Sequence, residues 1–179
     1  MSLLHQLRSH SASTHAAMHE HPLLTALLRG EVQVRHYAGL LSAFTRPWSR
    51  LHASLEKTAA IPELVLPVRN RHKDLCADLF ELSNKKQPPA VAGLTRCEAL
   101  GYAYTLIGSS QGAPTLRKAV CAALPDPPIR FLSSSPRAAG WQSLVQRLET
   151  ESVSDAEAVL EAAMRCFEEV RWGFDQALG

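Results

Sequence analysis
The sequence predicts an all-α fold, a helical bundle formed by one domain over residues 1–179. Two observations carry this. Apolar residues recur at three- and four-residue spacing in segment after segment. Glycine and proline fall between those segments, and no stretch alternates in the two-residue period of a strand.

The elements follow in order. Ser2 to about Glu20 reads as an amphipathic helix closed by Pro22, with Leu4, Leu7, Ser11, His15 and Met18 on one stripe. His15 therefore falls in the middle of the expected buried face, and His10 points away. Arg8 precedes His15 by two turns on the same side, about 10 Å along the axis. Leu23 to Leu28 is a short helix closed at Gly30. Val32 to about Ala60 is a long one, with Tyr37, Leu40, Leu41, Phe44, Trp48, Leu51 and Leu55 at apolar spacing, and Pro47 predicts a bend near Phe44. Ile61 to Pro67 reads as a proline-bounded connector, Arg69 to Leu82 as a helix, and Asn84 to Pro89 as a solvated turn. A long helical segment from about Thr95 to Ala123 follows. Pro125 to Pro136 reads as a loop, because four prolines and three serines leave few donors for a ladder. Arg137 to Thr150 is a helix carrying Trp141, Leu144, Val145 and Leu148. The last helix opens at Ser154 as N-cap, with Glu157 as capping-box partner; Leu160, Met164, Phe167, Phe174 and Leu178 form its core stripe.

Composition bounds the function. The 179 residues suffice for one domain with a proper core. Nineteen Lys and Arg against 17 Asp and Glu give a net charge of +2, too mild to point to nucleic acid or a membrane surface. No apolar run approaches the roughly 20 residues that span a bilayer. The opening MSLLHQLRSH has no signal-peptide core, so a cytoplasmic location is expected. Cys76, Cys97, Cys121 and Cys166 are scattered and form no CxxC pair, which predicts reduced, mostly buried thiols.

The most informative stretch is Gly101 to Pro114, GYAYTLIGSSQGAP. Tyr102, Tyr104, Leu106 and Ile107 enter it and Leu116, Val120 and Leu124 leave it at helical spacing. Between them Gly108, Ser109, Ser110 and Gly112 carry almost no side chain. Each glycine costs about 1 kcal/mol against alanine in a helix interior, and Pro114 favours a kink. One reading is a large flat ligand lying against bare backbone. The others are close helix packing at a small-residue patch, or a loop that divides the segment.

Few constellations could carry other chemistry. His15, His19 and His21 could begin a metal site, but zinc needs three or four protein ligands and no second cluster answers them. No Glu has a His three residues later, which argues against a di-iron carboxylate bundle. No P-loop, HExxH or GxGxxG motif occurs. Serine hydrolysis at Ser109 or Ser110 lacks a nominated base.

Together, LRSHSASTH (Leu7–His15), GEVQVRHYAGLL (Gly30–Leu41) and YTLIGSSQGAPTL (Tyr104–Leu116) resemble the heme oxygenases. In that family a Leu-Arg/Lys pair precedes the iron-binding histidine by two turns, and a glycine-rich distal helix follows. The glycine stretch is closest to the bacterial branch associated with bacteriophytochromes, which carries Tyr-Val-x-Glu-Gly-Ser-x-x-Gly-Gly there; Phe167 and Trp172 in the last helix also suit that branch. The resemblance spans essentially the whole chain. It implies heme as substrate and prosthetic group, with His15 as the iron ligand. Gly108, Ser109 and Gly112 become the distal catalytic stretch. Arg8 becomes a propionate partner, and Tyr104 and Arg147 further heme-contacting residues. It also implies O2, an electron donor such as a ferredoxin or flavin reductase, biliverdin, CO and ferrous iron as products, and a bacteriophytochrome as recipient. Arg69, Arg71 and Lys73 could dock an acidic ferredoxin, or form an ordinary solvated face.

Several positions depart from the pattern. Ser109 stands where animal enzymes have Asp, Ile107 replaces the branch's Glu, and Ala113-Pro114 its second Gly. His19 lies one turn after His15, where some relatives have Glu. Gln142 and Gln146 fall near positions that are basic in animal enzymes, with Arg147 the nearest cation. Two alternatives stay open: a non-catalytic heme- or bilin-binding protein on the same scaffold, and a thiaminase-like enzyme without heme, for which Cys121 is the only support.

Overall fold
A computed structural model describes residues 2–58, 61–83, 93–134, 140–150 and 155–178. The helices are α1 (Leu3–His19), α2 (Pro22–Leu28), α3 (Val34–Thr58), α4 (Pro62–Ser83), α5 (Arg96–Gly108), α6 (Ala113–Ala123), α7 (Arg130–Ser133), α8 (Trp141–Thr150) and α9 (Ala156–Leu178). A single 3-10 turn, Ser109–Gln111, joins α5 to α6. No strand occurs among the described residues, as the apolar spacing predicts.

The bundle is organised on α9, which packs against α3 and α5, while α4 covers the other side of α3 and α1 leans on α9. Glycine makes these crossings close. A Cβ at Gly101 would sit 2.5 Å from the Val159 carbonyl oxygen and 2.7 Å from the Ala163 nitrogen. One at Gly39 would meet the Ala177 methyl at 2.3 Å, and one at Gly173 the Ala43 methyl at 2.5 Å. Real Cβ atoms do not approach so closely, so glycine is required where α5 and α3 cross α9.

Local signals set the helix ends. The Ser2 hydroxyl caps α1, and Thr95 with Glu98 forms a complete capping box on α5. His21 caps α2 by accepting from the Leu23 N–H through Nδ1, and its Nε2 bonds Asp175 at 3.1 Å. With both ring nitrogens engaged, His21 is not part of a cluster with His15 and His19. The proposed Ser154 cap, the 84–89 turn and the start of α8 before Gly140 lie outside the described residues.

Three expectations need correction. Ile61–Pro67 is not a connector: α4 begins at Pro62 and runs through Pro67. Pro62 occupies the first helical position, where its missing N–H costs nothing. Burial of Ile61, Leu64 and Val68 outweighs the one bond lost at Pro67. As expected, α3 is one long helix with Pro47 inside it. There the hydroxyls of Thr45 and Ser49 donate to carbonyls one turn back, to Leu41 and Thr45. The 125–136 stretch, described as far as 134, contains α7, because Phe131 and Leu132 are buried and Asp78 accepts the Phe131 N–H at 2.8 Å. The 95–123 segment is not one kinked helix but two with a turn between them.

Candidate functional site
The break between α5 and α6 shapes one wall of a cavity of about 490 Å³. Leu24 of α2 and residues of α1, α3, α4, α7, α9 and the Trp141 ring supply the rest. That volume and a mostly apolar lining suit a ligand the size of a large cofactor. Among the described lining residues the charged groups are Arg8 and Arg71, and none is Asp or Glu. A large, apolar ligand with negative charge matches such a chamber.

His15 lines this cavity from α1. It is not buried, as the stripe predicted, but exposed, with its ring open to the chamber instead of packed in the core. Partial desolvation, helped by nearby His19, lowers its pKa below the ordinary histidine value. The imidazole is therefore neutral at pH 7, the form that binds a metal. Its ring centroid lies 4.6 Å from that of His19 and 6.3 Å from that of Phe167, both edge-on.

Gly108, Ser109 and Gly112 line the same cavity. Their packing differs from that of Gly101. A Cβ at Gly108 would meet only the Trp141 ring, at 3.4 Å, and one at Gly112 only the Ser109 carbonyl oxygen, at 3.7 Å. Both have right-handed helical backbone angles open to any residue. Of the readings of this stretch, tight packing holds for Gly101 and division into two helices for Ser109–Gln111. Neither demands glycine at 108 or 112, and both line the cavity. The Ser109 and Ser110 hydroxyls donate to the Leu106 and Ile107 carbonyls at 2.7 and 2.5 Å, satisfying acceptors at the interrupted helix end.

Tyr104 also lines the cavity, and Ser11 lies 3.1 Å from its hydroxyl. Because the Ser11 hydroxyl donates to the Leu7 carbonyl, the tyrosine is the donor in this pair, tying α5 to α1. Arg8 lines the cavity from the exposed side of α1. Arg147 does not. It forms a two-pronged ion pair with Glu63 and sits in a separate surface groove with Gln146. Its guanidinium holds the Glu63 carboxyl below the usual range.

The residue that sequence reading misplaced is Arg71. Far from forming a surface cluster with Arg69 and Lys73, it is only 2% exposed, lines the cavity, and lies 4.3 Å over the Phe131 ring and 5.5 Å over that of Trp48. Arg69 instead pairs with Glu56 on the surface. Cys121, expected to be buried, is exposed and does not line the cavity, whereas Cys166 is buried. Phe167 lines the cavity, and Trp172 is 64% exposed. Among the described residues no helix is long and apolar enough to cross a membrane.

The chain is an all-α bundle enclosing a mostly apolar cavity lined by Arg8, Arg71, His15 and His19 among its polar groups. The fold is that of the heme oxygenases. The heme oxygenase-1 of the cyanobacterium Synechocystis sp., solved in complex with heme, superposes with a TM-score of 0.76 at 18% identity, over 98% of this chain and 92% of that one. The enzyme of Leptospira interrogans gives 0.74 at 18% identity, over 98% and 100%. The NO- and CO-bound enzyme of Neisseria meningitidis gives 0.74 at 18% identity, over 100% and 93%. No sequence-family model and no curated protein matches the chain.

Proposed function
We propose that this chain is a heme oxygenase. The observation that carries the reading is that His15 and the bare backbone of Gly108 and Gly112 line one apolar cavity, in a bundle with the heme oxygenase fold.

The residues present fit heme. The cavity is large, apolar and free of described acidic lining, so it suits a flat dianionic ligand. His15 would hold the iron through a ring nitrogen that is unprotonated at neutral pH. Bound there, heme would supply the iron and porphyrin at which O2, with electrons from an external donor, yields biliverdin, CO and ferrous iron. Gly108 and Gly112 keep side chains out of the space beside the ligand. Arg8, at the exposed side, offers a guanidinium to a carboxylate. Tyr104 presents its ring, since its hydroxyl is engaged with Ser11. Ser109 can still accept a hydrogen bond through its oxygen, while its proton is held on the Leu106 carbonyl.

One observation favours a second reading, that of a heme or bilin carrier. Both distal serine hydroxyls donate to backbone, and no acidic group lies among the described lining residues to order a proton source. Turnover separates the two. Hemin-loaded protein in air with ascorbate or reduced ferredoxin should lose its heme absorption, gain that of biliverdin and release CO. Stable heme under the same reductant would establish a carrier. The thiaminase-like alternative gains nothing from Cys121, which lies away from the cavity. A cytoplasmic location and a bacteriophytochrome recipient are parts of this proposal that rest on the sequence motifs.

A further inference from the structure
Arg71, on the cavity wall, and Trp48 behind it hold donors without acceptors. Arg71 Nε and Nη1 and Trp48 Nε1 are fully buried and have no hydrogen-bond partner among the described residues. They belong to one cluster, since the Arg71 guanidinium lies over both the Trp48 and Phe131 rings. The carboxylates nearby do not serve them. Asp78 accepts from the Phe131 N–H and from Arg130, at 2.8 and 2.9 Å, and Asp74 acts on Arg71 through charge alone. Burial pushes the Arg71 pKa down to about 10, so the group is still a cation at neutral pH. Buried donors in native folds are nearly always satisfied, and an unpaired buried cation is destabilising. An unpaired guanidinium on a cavity wall defines an acceptor site.

We infer that Arg71, held over the Trp48 and Phe131 rings on the cavity wall, forms an oxyanion subsite, which takes a carboxylate or a small inorganic anion. The aromatic rings hold the guanidinium flat and leave its N–H edge as the binding element. The acceptor has two possible sources: an acidic group of the large ligand, pointing inward, or a separate small anion. Only the first rests on the heme reading. The site differs from Arg8, which faces the cavity from its exposed side.

The test uses the full chain as wild type, Arg71→Met and Trp48→Phe. Melting of the ligand-free protein is followed with sodium formate against sodium perchlorate at equal ionic strength. Affinity is measured for hemin and for hemin dimethyl ester, which lacks free carboxylates. If the acceptor belongs to the ligand, Arg71→Met weakens hemin about tenfold or more, the loss expected for a charge-assisted bond, and leaves the ester within twofold. If it is a small anion, formate raises the melting temperature of wild type but not of Arg71→Met, and hemin binds both alike. Trp48→Phe, which removes the five-membered ring and its N–H and leaves a smaller ring under the guanidinium, gives a smaller effect of the same sign and stands in should Arg71→Met not fold. Hemin and ester affinities within twofold for all proteins, with no formate-specific shift, would overturn the inference. Failure of wild type to bind hemin would defeat the heme reading alone, and the formate arm would still decide.

Discussion
Gly108→Ala and Gly101→Ala separate a glycine that serves the cavity from one that serves the fold. Gly108 has φ −57° and ψ −38°, ordinary right-handed helix, and an added methyl would touch only the Trp141 ring at 3.4 Å. Alanine there gains about 0.4–1 kcal/mol by restricting the unfolded chain. For a chain of this size that is a rise in melting temperature of ~1–4 °C. Gly101 is the opposite case, with three atoms of α9 within 2.8 Å of the added methyl. Two of these are backbone atoms that cannot rotate away, so alanine costs about 1–3 kcal/mol or more and lowers the melting temperature by ~2–12 °C. Calorimetry of the ligand-free proteins gives both numbers. Hemin titration then adds the functional half: Gly108→Ala, more stable when empty, should bind hemin about tenfold more weakly, because its methyl enters ligand space. A ligand-free Gly108→Ala that melts as low as Gly101→Ala, or one that binds hemin like wild type, would refute the assignment.

Other outcomes follow from the same structure. Arg147→Ala should cost roughly 0.5–1 kcal/mol, the contribution of a partly exposed ion pair, yet leave hemin affinity within twofold; a large loss of affinity would return Arg147 to the site. His72 sits stacked on His52, its Nε2 3.0 Å from the Ser49 hydroxyl, and burial with the charge of His52 pushes its pKa down from 6.5 to about 4. The unfolded chain therefore takes up a proton near pH 6.5 that the fold refuses until about 4. Stability is full above pH 6.5 and falls across that window, by at most ~3 kcal/mol. In pH-dependent melts His72→Gln should flatten this slope; an unchanged slope would place the loss elsewhere.

Much of the fold was legible because helical spacing survives in a single sequence. The stripe through Leu40, Trp48, Leu51 and Leu55 found α3, and the glycine-serine run located the α5–α6 break. Proline misled where tertiary burial overrode it, at Pro67, since local propensity cannot register the packing of Ile61, Leu64 and Val68. Phe131 and Leu132 were hidden among prolines for the same reason. Arg71 was missed although its signal was present. Residues two apart on a helix point to different sides, so Arg69, Arg71 and Lys73 could not share one face. The buried series Leu64, Val68, Arg71, Leu75 and Asp78 keeps the helical period. The stripe read His15 as core because a cavity wall and a core wall share one periodicity. Arg147 failed as a site residue because Glu63, distant in sequence, claims it.

The central claim is that His15 holds the iron of a heme bound in this cavity. An absorption titration of wild type and His15→Ala with hemin tests it most directly. His15 is exposed, so the substitution should leave the ligand-free fold intact. Wild type should bind one equivalent with a sharp Soret band, and His15→Ala should lose or shift that band at unchanged melting temperature. Identical spectra for the two proteins, or no stoichiometric binding by wild type, would contradict the account.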